Sequence, residues 1–149
     1  GVDMSADLHK KNLKEQIKQH EGYRLDVYKD TLGFNTGGYG HKILPNEDIP
    51  TTKEGWDKLF DKDFDKAWSL ADKFCDTHEL DINIKAKCIL CEMIYQMGSA
   101  GVSKFVTMIS CLKSKDMNGA ADAMLDSRWA RQTPNRAESL SSQMRALSN

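Results

Sequence analysis

From Thr51 to Phe74 apolar residues recur at helical spacing: Trp56, Phe60, Phe64, Ala67 and Ala71, joined by Leu59 and Phe74. Residues three and four apart share one face of an α-helix, so the stretch predicts a single amphipathic rod of roughly 33 Å. Such a rod is long enough to join two lobes. Its start reads as a capping box, Thr51-Thr52-Lys53-Glu54, with Thr51 at the N-cap and Glu54 three residues on. The aromatic residues along it are expected in a core.

The segments on either side have different patterns. Residues 5–21 read as a first helix, with Ser5 as N-cap, Leu13 and Ile17 facing inward and Lys10, Lys11, Lys14 and Lys18 on a face expected to be solvated. Residues 1–4 are expected to be disordered. Between Arg24 and Ile43 short runs broken by glycines suggest a small antiparallel sheet. A polar loop over residues 76–83 leads to residues 84–97, apolar on most sides and so expected to be a buried helix. Met108, Ile109, Leu112, Met117, Ala120, Ala121, Met124 and Leu125 then supply shorter helices. With 149 residues, 40% of them apolar, the chain can bury one core or two lobes sharing a helix.

No run approaches the ~20 apolar residues of a membrane span. Net charge is −1 and unevenly spread, because eleven acidic residues against five lysines leave residues 46–82 strongly negative. A basic stripe that could track phosphates is missing, which argues against nucleic-acid binding. Gly37-Gly38-Tyr39-Gly40 lacks the Gly-Lys-Ser/Thr ending of a phosphate loop, so a nucleotide site is rejected too. The glycines fit close backbone approach or tight sheet packing better. Cys75, Cys88, Cys91 and Cys111 could form two disulfides or remain thiols; Cys88 and Cys91 fall in an apolar helical run, which favours buried thiols. A zinc site built from Cys75-x-x-His78 and Cys88-x-x-Cys91 is disfavoured for the same reason.

Chemistry is concentrated in residues 20–41. Glu21 ends a helical pattern immediately before Gly22, and a carboxylate at the negative end of a helix is poorly placed for stability but well placed for an acid that should hold its proton. Asp30 stands nine positions on and Thr36 six beyond that, so a helix end, a strand and a turn could bring all three to one wall. Two carboxylates across a gap are the minimum for glycoside hydrolysis, with Thr36 able to hold a water. Each residue also has a plain structural reading. Asp30-Thr31-Leu32-Gly33 fits a type I turn, and a Glu at a helix end is ordinarily solvated surface.

Three blocks tip the balance. His20 to His41, containing Glu21-Gly22, Tyr28-x-Asp30-x-x-Gly33-x-x-Thr36 and Gly38-x-Gly40-His41, resembles the active-site segment of the bacteriophage-type (T-even phage) lysozyme family. So do Tyr95-Gln96-Met97-Gly98-x-x-Gly101-Val102 and Ser127-Arg128-Trp129-x-x-Gln132-Thr133-Pro134-Asn135-Arg136-Ala137, in the same order. The resemblance spans roughly residues 12–140. It implies an α+β lysozyme fold: one domain over residues 1–149, with a small sheet-containing lobe over about 12–60 and a larger helical lobe over 61–149 plus the first helix. It further implies a muramidase acting on bacterial peptidoglycan glycan strands, cutting between N-acetylmuramic acid and N-acetylglucosamine, with no metal or organic cofactor, no nucleic-acid partner and a monomeric state.

By the same resemblance Glu21 is the general acid, and Asp30 with Thr36 activates water, which would invert the anomeric centre. Arg136 approaches Glu21 and ties the helical lobe to the first helix, an arrangement that would oppose the helix-end effect. Tyr95 and Gln96 are expected at the glycan, although packing is an equal role for Tyr95. His41 is expected to be a scaffold residue, paired with an acid of the next helix such as Asp63, and Trp129 to be core. The sequence departs from the family in a compact stretch between His41 and Thr51 and in an abbreviated C-terminal helix. A peptidoglycan-binding module without activity, and a hydrolase of another N-acetylhexosamine polymer such as chitin, are the competing readings.

Overall fold

The long helix is present in the computed structural model, which describes residues 4–148. It is α2, Lys53–Thr77, and its 25 residues extend for roughly 38 Å. It buries Trp56, Phe60, Phe64, Ala67, Ala71 and Phe74, the expected stripe. Burying each large side chain contributes about 1.5–3 kcal/mol. The N-cap is Thr52 rather than Thr51. Its hydroxyl accepts from the Gly55 N–H at 3.1 Å, and because the third helical residue is then glycine no reciprocal side-chain bond forms.

Before α2 come α1 (Met4–Glu21) and a three-stranded antiparallel sheet of β1 (Arg24–Lys29), β2 (Asn35–Gly38) and β3 (His41–Lys42), in that spatial order. The helix already runs at Met4, so Ser5 lies inside α1 instead of capping it. The disorder expected of residues 1–4 concerns, for residues 1–3, positions outside those described. Gly22 ends α1 with φ of 73°, its N–H donating to the Lys18 carbonyl at 2.9 Å. Leu13 and Ile17 face the core as expected. The lysine face differs from expectation. The ammonium groups of Lys10, Lys14 and Lys18 lie about 5 Å from the ring centres of Trp68, Phe64 and Tyr39, so their stems cover aromatic surface while the charges reach water.

After α2 the chain forms α3 (Ile84–Ser103), α4 (Val106–Lys113), α5 (Met117–Leu125), α6 (Arg128–Gln132) and α7 (Pro134–Arg145). The buried helix continues past residue 97 after a kink at Gly98, whose φ of 78° departs from helical values. Helix α2 packs along α3, and α5 packs against both α4 and α7. The architecture is thus α+β, a small sheet beside a larger set of helices. All four cysteines are free thiols, and burial pushes Cys88 up to about 11, so it stays protonated and inert.

The sheet is fastened to α2 through Trp56. Register is irregular between Arg24 and Tyr28, and within that stretch the Leu25 carbonyl accepts from the Trp56 indole at 3.1 Å. The same indole packs against Gly37 and Gly38, where a Cβ would come within 2.6 and 2.4 Å of its ring carbons. Tight sheet packing therefore accounts for these two glycines. Gly37→Ala forces a methyl group into the Trp56 ring and is expected to lower unfolding free energy by about 1–3 kcal/mol in urea titration.

Candidate active site

Glu21 is the last residue of α1, and its carboxylate occupies a space that only a glycine leaves open. Gly40 has φ of 75°, and a Cβ there would stand 2.3 Å from Glu21 Oε1. On its other side Glu21 Oε2 accepts from Arg136 Nη1 at 2.7 Å, across 115 residues of chain. The carboxylate is therefore held between the turn that follows β2 and helix α7.

Asp30 follows β1 and shapes the turn that returns the chain to β2. Its Oδ1 accepts from the N–H groups of Leu32 at 2.9 Å and Phe34 at 2.8 Å, and its carbonyl accepts from the Gly33 N–H at 3.0 Å. The turn reading is thus correct, and it occupies only one carboxylate oxygen. Oδ2 has no protein partner among the described residues. Thr36, in β2 opposite Tyr28, is 3% exposed, and its hydroxyl donates to the Phe34 carbonyl at 2.9 Å. With that hydrogen committed, the Thr36 oxygen can only accept further hydrogen bonds.

Glu21, Asp30 and Thr36 all line one cleft of about 930 Å³. Tyr28, Leu32 and Lys42 from the sheet region also line it, with Met97 and Gly101 of α3, the start of α4 and Trp129. Gln96 lines the cleft as well. Its Oε1 accepts from the Trp129 indole at 2.7 Å, which fixes the amide so that Nε2 is the group left for a ligand. Trp129 is 8% exposed, as expected for a core residue, but it also orients Gln96. Tyr95 lines a smaller cavity of about 380 Å³ that shares Gly40, Lys42, Gln96 and Met97 with the cleft. Its hydroxyl donates to the Tyr39 carbonyl at 2.6 Å, and burial pushes its pKa well up, so it remains a donor.

His41 lies outside the cleft and pairs with Asp63 as expected, Nδ1 to Oδ2 at 2.7 Å. A second acid meets its other nitrogen: Glu47 Oε2 stands 2.8 Å from Nε2, while Glu47 Oε1 accepts from the Leu44 N–H. The compact stretch after β3 is what returns Glu47 to the ring. With two carboxylates on two ring nitrogens, His41 is held above its ordinary value, chiefly by the Asp63 hydrogen bond against the opposing effect of burial.

Sequence reasoning missed Glu92, which sits in the middle of apolar α3 and is completely buried. Its Oε2 accepts from Arg136 Nε at 2.7 Å and lies 2.5 Å from His20 Nδ1, and its Oε1 accepts from Gln16 Nε2 at 2.6 Å. An acid inside an apolar run requires buried donors, and that conflict was the available signal. Arg136, itself 8% exposed, stays cationic because Glu21 and Glu92 outweigh the burial that would otherwise lower its pKa.

A family model described as phage lysozyme matches residues 18–146. "Probable T4-type lysozyme 1" of Dictyostelium discoideum is 31% identical over 158 residues, covering 85% of this chain and 89% of that protein. "Probable T4-type lysozyme 2" of the same organism is 30% identical over 151 residues with the same coverage. "Peptidoglycan hydrolase gp36" of Pseudomonas phage phiKMV is 27% identical, covering 89% of this chain and 15% of that longer protein.

His41 also yields a pH prediction. A histidine raised above its unfolded value near 6.5 contributes stability that is full below that value and lost as pH rises through the folded one. His41→Gln is therefore expected to be less stable than the parent at about pH 6. The difference should shrink above the folded titration, which urea unfolding across pH and an NMR titration of His41 would both register.

Proposed function

Because the chain belongs to the phage lysozyme family, we propose that it is a muramidase, hydrolysing the β-1,4 bond between N-acetylmuramic acid and N-acetylglucosamine in bacterial peptidoglycan. The observation that carries this reading is the convergence of Glu21, Asp30 and Thr36 on one cleft large enough for several sugar units. Glu21 is the general acid, donating a proton to the departing glycosidic oxygen as the ring gains oxocarbenium character.

Asp30 and Thr36 hold the attacking water. The water donates one hydrogen to Asp30 Oδ2 and the other to the Thr36 oxygen, which can only accept; its lone pair then points at the anomeric carbon. Asp30 is pinned to its own turn by two backbone N–H groups, which favours a fixed base over a carboxylate that swings in to bond the sugar. A water delivered from the face opposite the leaving group inverts the anomeric centre. Gln96 offers its Nε2 to an N-acetyl carbonyl, and Tyr95 borders the adjoining part of the glycan path. The substrate is the wall glycan itself, the working unit is one domain acting as a monomer, and the chemistry draws on side chains alone.

Glu21→Gln keeps the bond to Arg136 but supplies no acidic proton. It is expected to remain folded by circular dichroism and to lose clearing of a peptidoglycan suspension by about 10²-fold or more. Equal clearing would refute the acid assignment, and clearing by neither protein would move weight to a binding module or a hydrolase of chitin. Proton NMR of the first product formed by the parent protein would give the anomer, with the α form expected.

A further inference from the structure

Arg136 is bound by two carboxylates, one in the cleft and one wholly inside the protein, and the second has no part in the chemistry just described. We propose that Glu92 is a positioning residue that makes Glu21 a proton donor, by neutralising the Arg136 cation from behind. The inference rests on the reading of Glu21 as general acid.

Arg136 and Glu92 cancel, so these three groups together have no net charge when Glu21 is protonated and carry −1 when it is ionised. Without the Glu92 anion the neutral state would be the one with Glu21 ionised, the wrong form for an acid. Burial favours whichever state carries no net charge. Helix α1 supplies Gln16, His20 and Glu21 to the cluster, α3 supplies Glu92, and α7 supplies Arg136 and, through Gln16, Gln143.

His20 Nδ1 must carry the hydrogen, since the Glu92 carboxylate can only accept. Tyr28 from β1 and Tyr95 from α3 also lie within electrostatic reach of Glu21, and burial keeps both phenols neutral; beyond them stand Arg24, Asp30 and Asp63. Because Arg136 Nη1 and Nε belong to one rigid, delocalised guanidinium, the two carboxylates act on a single cation, and changing the charge of one changes what the other meets.

The test is the pH dependence of kcat/KM on soluble peptidoglycan strands. A general acid must be protonated, so activity falls on the alkaline side as it titrates. Glu92→Gln is expected to move that alkaline limb to lower pH by about one to two units, a 10- to 100-fold loss on the limb, with KM and the acidic plateau little changed. Glu92→Asp, which keeps the charge, should restore the parent profile even if it unfolds at a lower temperature. Gln16→Lys brings a cation to Glu92 Oε1 without removing any partner of Arg136, and should shift the limb in the same direction as Glu92→Gln.

A uniform loss of rate or stability with the limb unmoved would reduce Glu92 to a structural residue and overturn the inference. If Glu92→Gln does not fold, an unmoved limb in Gln16→Lys overturns it equally. Retained activity in Glu21→Gln would instead strike the acid assignment itself, whereas an inactive Glu21→Gln beside an unmoved limb would sink the role of Glu92 alone.

Discussion

One guanidinium, that of Arg136, fixes the relation between three helices. It comes from α7, takes Glu21 at the end of α1 on one nitrogen and Glu92 in the middle of α3 on another. Taking these charges out of water costs several kcal/mol per ion, which their attraction offsets only when the geometry is right. The cluster is therefore weak as a source of stability and strong as a constraint on position. Any other packing of α1, α3 and α7 would leave a buried charge alone. Gln16, His20 and Gln143 extend the same constraint, so that the acid facing the cleft is held by a network reaching into the interior.

The sheet is positioned by different means, through shape more than charge. Trp56 fills the space under Gly37 and Gly38 and takes the Leu25 carbonyl at the point where the β1 register slips. Tyr39, buried between the sheet and α2, donates to Asp57 at 2.7 Å and receives the Tyr95 hydroxyl on its carbonyl. Gly40 then carries the backbone past Glu21 closely enough to touch it. The Asp30 turn and the end of α1 are thus brought to one cleft by a chain of contacts running from α2 through the sheet.

Much of this was legible in the order of residues. Periodicity gave the length of α2 and its buried face, since a 3.6-residue repeat of large apolar groups has few other uses. Gly22 marked the end of α1, and the glycine-broken stretch marked the sheet. The cap of α2 was misplaced by one residue because Thr51 and Thr52 are chemically equivalent there, and only the backbone decides which hydroxyl meets an N–H. The lysines of α1 looked solvated because local sequence cannot show that α2 presents rings beneath them.

The site divides along the same line. Glu21, Asp30 and Thr36 lie close enough in sequence for one strand and one turn to relate them, so their common wall could be reasoned from local rules. Glu92 could not be, because its three partners come from α1 and α7 and its own surroundings in sequence are apolar. Nor could the second acid on His41 or the grip of Trp129 on Gln96. What the sequence determined by itself was most of what depends on neighbours within a turn or two: the course of the helices, the glycine-broken strands and the Asp30 turn. Tertiary structure alone decided which charges meet, because buried ion pairs join residues that are distant in the chain, and their energies depend on desolvation and distance, neither of which a linear pattern carries.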